Sequence, residues 1–163
     1  MGKTGFYTHP ECRRHEMGEG HPECPDRLDA IIDRLLITGV SDALDERQAT
    51  PVSIHDLELA HSKMHVAAIR GLHDELLDEL AAGGPHYTQI DPDTRMNKHT
   101  FAASLRAAGS AIAATDAVIA GELENAFCAI RPPGHHAGRQ EAMGFCFFNN
   151  HVLYNLYLQH DQP

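Results

Sequence analysis

The stretch NAFCAIRPPGHH, residues 125–136, constrains this chain more than any other. Its first six residues read as a buried strand, and the Arg-Pro-Pro that follows cannot extend it, because proline lacks a backbone N–H and fixes φ. The backbone must therefore turn just before His135 and His136. Neighbouring side chains on an extended strand point to opposite faces, so a turn at Gly134, a residue free to take a positive φ, is expected to swing both imidazoles to one side. Paired imidazoles can ligate a metal, pass protons as base and acid, or stabilise an oxyanion. A bare His-His pair is more often surface loop, and its place at the end of a strand argues against that reading here.

The rest of the chain explains why the strand end matters. TGFYT (4–8) reads as a strand closed by HPEC, and a polar loop runs to about Pro22. From Pro25 a helix is expected, with Leu28, Ile31, Ile32 and Leu35 at helical spacing and Gly39 as its stop. ATPV (49–52) reads as a second short strand, and Ser53 with Asp56 as the cap of a short helix. Ser62 caps a longer helix to about Ala81, whose apolar stripe is Val66, Ile69, Leu72, Leu76 and Leu80. Segment 86–97 has no periodicity and reads as loop. An Ala-rich helix spans about 100–120, and another runs from about Asn150 to Gln159. Strands alternating with helices imply a parallel sheet, whose ligands bind beyond the carboxyl ends of the strands. RPPGHH occupies such an end.

Length and composition bound the alternatives. A chain of 163 residues suits one domain, and 13 basic against 23 acidic residues give a net charge of −10, which disfavours nucleic acid and favours cationic substrates. No membrane span or signal peptide is expected, and the four cysteines read as reduced thiols, so a soluble cytoplasmic protein is expected.

Other clusters carry weaker signals. Cys12, His15, His21 and Cys24 have metal-ligand chemistry, but a loop of five residues between the pairs is short for tetrahedral closure, so a plain loop with free thiols is preferred. His61 and His65 share a helical face, with His55 nearby, and core or surface hydrogen bonding is preferred to a metal. Asp74, Glu75, Asp78 and Glu79 read as a solvated face. Cys146 reads as a small buried hydrophobe rather than a reactive thiol. The Phe-rich run GFCFFNN (144–150) offers either an apolar slot for an alkyl chain or ordinary core.

RPPGHHAGRQEAMGFCFFNN (131–150), with HPECPDRL (21–28) and DPDT (91–94) before the Ala-rich helix, resembles the histone deacetylase superfamily, nearest its class II and bacterial amidohydrolase-like members. The resemblance implies an α/β, arginase-like three-layer fold with a parallel sheet flanked by helices. It also implies zinc-dependent hydrolysis of acetyl-lysine or acetylpolyamines. By motif position His136 resembles the general base and His135 its charge-stabilising partner. Asp93 resembles the rim aspartate that holds the substrate backbone, Gly144 and Phe145 the tunnel residues along the acyl-lysine chain, and Arg27 an arginine beneath the site. In the family, the zinc ligands (an Asp-x-His and a later Asp) and an oxyanion-stabilising Tyr follow the GFCFFNN helix, beyond Pro163. The expectation is therefore that residues 1–163 are the N-terminal portion of one such domain, truncated, with no zinc at the usual site and no turnover alone. An exposed sheet edge is expected to drive homo-oligomerisation. The competing expectation is a non-catalytic module that associates with itself or a partner.

Overall fold

A computed structural model describes residues 2–48 and 50–160. Strand β1 (Thr4–Tyr7) leads through α1 (Pro10–Arg14) to α2 (Asp26–Ile37), followed by a 3-10 turn and β2 (Leu44–Arg47). Helices α3 (Ile54–Ala60) and α4 (Lys63–Ala81), the small strands β3 (Thr88–Gln89) and β4 (Arg95–Met96), and α5 (Thr100–Ile119) come next. Strand β5 (Asn125–Cys128) and α6 (Asn150–His160) complete the order. The main sheet runs β2-β1-β5, all parallel, with Phe6 opposite Glu46 and Phe127.

The expected helices form where their signals lie. Ser53 accepts from the Asp56 N–H and Ser62 from the His65 N–H, so both caps act as the sequence predicts. The stripe of α4 meets Met96, Ala108, Phe147 and Phe148 in the principal core. A second cluster under β1 joins Phe6, Cys12, Leu28 and Ala129, which packs α2 against one face of the sheet while α5 covers the other.

Three expectations change. The second strand is LDER at 44–47, not ATPV at 49–52. Ala49 lies outside the described residues, and Val52 donates instead to the Leu105 carbonyl of α5. The reason for the first change is that β2 is an edge strand held by charge rather than by apolar pattern: Arg47 pairs with Asp45 at 3.0 Å and Glu122 at 2.9 Å. The 86–97 segment contains the antiparallel pair β3–β4 around a turn in which Asp91 accepts the N–H groups of Asp93 and Thr94. Between β1 and Pro22, the sequence read as loop forms α1, with Pro10 at its first turn and His9 as its cap.

Candidate active site

The RPPGHH turn begins at β5 with a cis Arg131–Pro132 bond. Gly134 does not use a positive φ, contrary to expectation. It is required for close approach instead: a Cβ there would lie 2.4 Å from Asn150 Cγ and 2.6 Å from Asn150 N, at the start of α6. The outcome at the histidines is nonetheless the expected one. The rings of His135 and His136 lie side by side, centroids 4.2 Å apart, exposed beyond the end of β5.

Left-handed backbone appears one segment later. Met143 and Cys146 exchange both backbone hydrogen bonds, at 3.1 and 3.0 Å, across Gly144 (φ 57°) and Phe145 (φ 67°). Two positive φ values in succession make this a type I′ turn. Gly144 lies against His136, where a Cβ would fall 2.9 Å from the ring carbon Cγ. Phe145 is not a glycine, and its conformation is held from outside. Its N–H donates to Thr94 Oγ1 at 3.1 Å and its ring meets His21 edge-on at 4.8 Å. His21 in turn bonds the Asp93 carbonyl through Nε2 at 2.9 Å. Asp93, Gly144 and Phe145 are thus joined in one rim with the dyad.

Arg27 sits on a different side. Its Nη2 donates to the Ile130 carbonyl at 3.0 Å, and with His135, Val118 and Tyr154 it lines a cleft of about 760 Å³ beside β5. Phe147 and Phe148 are core, so Phe145 alone of the three phenylalanines stands at the rim. The wall behind them is set by histidines that the sequence reading left undecided between core and surface. His61 Nε2 accepts the Asn149 N–H at 2.8 Å, and His65 Nε2 donates to the Phe147 carbonyl at 2.9 Å. Burial, then the neighbouring His65, push His61 down to about 4.

Beneath the dyad, Cys146 is fully buried, and its sulfur accepts the His136 N–H at 3.5 Å. Burial pushes its thiol pKa up, which fits the small-hydrophobe reading. Burial likewise lowers His135, and the neighbouring His136 and His151 lower it further.

The sequence reading missed the polar network under this turn. Arg131 is fully buried and forks onto Glu23, Nε to Oε1 and Nη2 to Oε2, both at 2.6 Å. Its Nη1 donates to the Cys12 and His15 carbonyls at 2.9 and 2.6 Å. Burial pushes the Glu23 carboxyl up, but His15 and Arg131 outweigh it and hold it at about 2. Only the chemistry of a buried arginine signalled a partner, and nothing in the sequence pointed across 108 positions to Glu23.

These residues are spoken for, which tests the metal readings. Of the four candidate ligands, His15 Nδ1 bonds Thr100 Oγ1 and His21 Nε2 bonds the Asp93 carbonyl, so these two rings are turned to separate partners. Among the described residues, no three His, Cys, Asp or Glu side chains are grouped so as to hold a metal ion. The residues present therefore do not make up the zinc site that the resemblance implies.

A family model described as histone deacetylase domain matches residues 21–163, which include the dyad, the rim and Glu23. The chain belongs to the histone deacetylase family. It is 35% identical over 163 residues to histone deacetylase 5 of Arabidopsis thaliana, covering 99% of this chain and 24% of that protein. It is 37% identical over 134 residues to the histone deacetylase-like amidohydrolase of Pseudomonas aeruginosa, covering 80% of this chain and 32% of that one. The crystal structure of the HDA15 HD domain superposes with a TM-score of 0.85 at 30% identity, over 98% of this chain and 44% of that chain. The α/β fold, a parallel sheet flanked by helices, is thus that of a deacetylase domain. The chain spans less than half the length of each of these proteins. No helix among the described residues is long and apolar enough to cross a membrane.

Proposed function

We propose that residues 1–163 are the dyad-bearing N-terminal portion of a single deacetylase domain that hydrolyses the amide of an N-acetylated amine, acetyl-lysine or an acetylpolyamine. The observation that carries this reading is the pair of imidazoles 4.2 Å apart at the end of β5, with Gly144 against His136. In this reading His136 takes a proton from the attacking water as its oxygen bonds the acetyl carbon. His135 stabilises the charge that develops and assists the leaving amine. The C–N bond breaks, the proton passes to the amine, and acetate and free amine result. The rim made by Asp93, His21 and Phe145 holds the amine-bearing chain, and the net charge of −10 favours a cationic substrate. In the same reading Arg27, which lines one cleft with His135, meets the acetate. The family suggests zinc for the complete enzyme, where it would polarise the acetyl carbonyl and acidify the attacking water. Four free cysteines support a reducing, cytoplasmic setting.

The test is a chimaera in which this chain replaces the corresponding portion of a family domain, assayed with zinc on an acetyl-lysine fluorogenic peptide and on an acetylpolyamine. Turnover is expected, falling about 10²–10⁴-fold in His136→Ala. A folded chimaera that is inert, or whose turnover ignores His136→Ala, overturns the reading.

A second reading, association through β5, is favoured by one observation. Among the described residues the outer edge of β5 has no strand partner, and Phe127 and Ile119 beside it are 53% and 55% exposed. Sedimentation velocity of this chain over a range of concentrations is expected to show dimer, and a monomer throughout counts against it.

A further inference from the structure

The turn that bears the dyad is rooted in an ion pair that also anchors the rim. Arg131 is the residue before Pro-Pro-Gly-His-His, and all five of its N–H donors are used: two on the Glu23 carboxylate, two on the Cys12 and His15 carbonyls, and one on the Glu23 carbonyl at 3.4 Å. Glu23 lies two residues after His21, and its own N–H donates to His21 Nδ1 at 3.1 Å. His21 then reaches the Asp93 carbonyl and the Phe145 ring. A rigid planar fork fixes two chain segments in distance and in orientation, which a point charge does not.

We propose that Glu23 and Arg131 are positioning residues: their buried fork sets where the His135–His136 dyad stands relative to the His21–Asp93–Phe145 rim. The meaning of that distance rests on the deacetylase reading, but the geometry does not. Stability alone does not require an ion pair here, since well-packed apolar replacements of buried pairs are often neutral or stabilising. Specific placement is what the fork adds: exposed Arg27 also links the Ile130 carbonyl to Glu23, at 3.0 and 3.6 Å, but only as a single looser contact, whereas the buried fork fixes distance and orientation together. His15 extends the network: its Nδ1 meets Thr100 Oγ1 at 2.8 Å while its Nε2, fully buried, lies 3.6 Å from Glu23 Oε2.

The test uses this chain and NMR contacts between ring protons of His136 and the α-protons of Gly144, and between the rings of His135 and His136. Three variants are compared: Arg131→Lys, which keeps the charge and loses the fork; Glu23→Gln, which keeps the shape and loses the charge; and the apolar double variant E23L/R131M. The expected result is that at least one variant keeps cooperative unfolding and native amide dispersion while its His136–Gly144 contacts are lost, with the caps at Ser53 and Ser62 on the far helices intact. Folded variants that all retain the dyad contacts overturn the proposal. So does unfolding of all three, which makes the pair a folding element only. Failure of the chimaera to turn over substrate would sink the deacetylase reading and leave these contacts unchanged.

Discussion

Gly134 shows at the residue scale how little room the site leaves. Gly134 meets the backbone of Asn150, and that backbone cannot give way as a side chain can. Gly134→Ala is expected to lower the urea midpoint by the equivalent of about 1–3 kcal/mol through overpacking. Gly39, with φ 70° and nothing within 4 Å, isolates the other cost of a methyl group, and Gly39→Ala is expected to lose only about 1 kcal/mol. Gly134 thus costs the chain more than Gly39 although its φ is ordinary. Phe145 reverses the argument, because it carries a side chain where φ is 67°. Phe145→Gly relieves that conformation and removes the ring from His21. Unfolding is expected to shift little, while the line widths of the His21 ring and of residues 91–94 in NMR increase.

At the element scale, the junction of α3 and α4 holds the segment that follows the I′ turn. His61 is 1% exposed and accepts the Asn149 N–H, so the ring must be neutral at Nε2. Its folded pKa of about 4 lies below the ordinary imidazole value of 6.5, so the unfolded chain binds this proton first as the solution is acidified. The stabilising effect is complete above about pH 6.5 and is lost as pH falls toward 4, on the order of 3 kcal/mol in all. Denaturant midpoints measured from pH 7 to pH 4 are expected to show this fall. In His61→Leu the slope should flatten, at the cost of a lower midpoint at pH 7, because the Asn149 N–H then stays buried without an acceptor. The same scale shows what could be read in advance. Helices α2 to α6 were legible because caps and apolar stripes are local. Strand β2 was not, because an edge strand of charged residues carries no apolar alternation and its pairing with β1 depends on chain brought back across 40 positions. In the site, the dyad and the rim motifs were legible as short runs. The Glu23–Arg131 fork was not, because its partners share no local pattern.

For the whole molecule, the buried network sets a second acid limit. Glu23, held at about 2, contributes stability that is complete above the ordinary carboxylate range and is lost as pH falls from about 4.5 toward 2. Acid unfolding is therefore expected in two overlapping stages, the first owed to His61 and the second to Glu23. Circular dichroism titration of the native chain against Glu23→Gln separates them: the variant, if folded, should lose only the lower stage. The sheet that carries all of this is lopsided. At β2 the outer edge is guarded by Asp45, Arg47 and Glu122, whereas at β5 it is lined by Phe127, Val118 and Ile119. Of the two outer edges of this sheet, only one is therefore apolar. If copies pair through β5 as proposed above, two such edges close on each other and the charged β2 edge does not extend the sheet, so that mode of association would be finite, a closed pair and not a fibre.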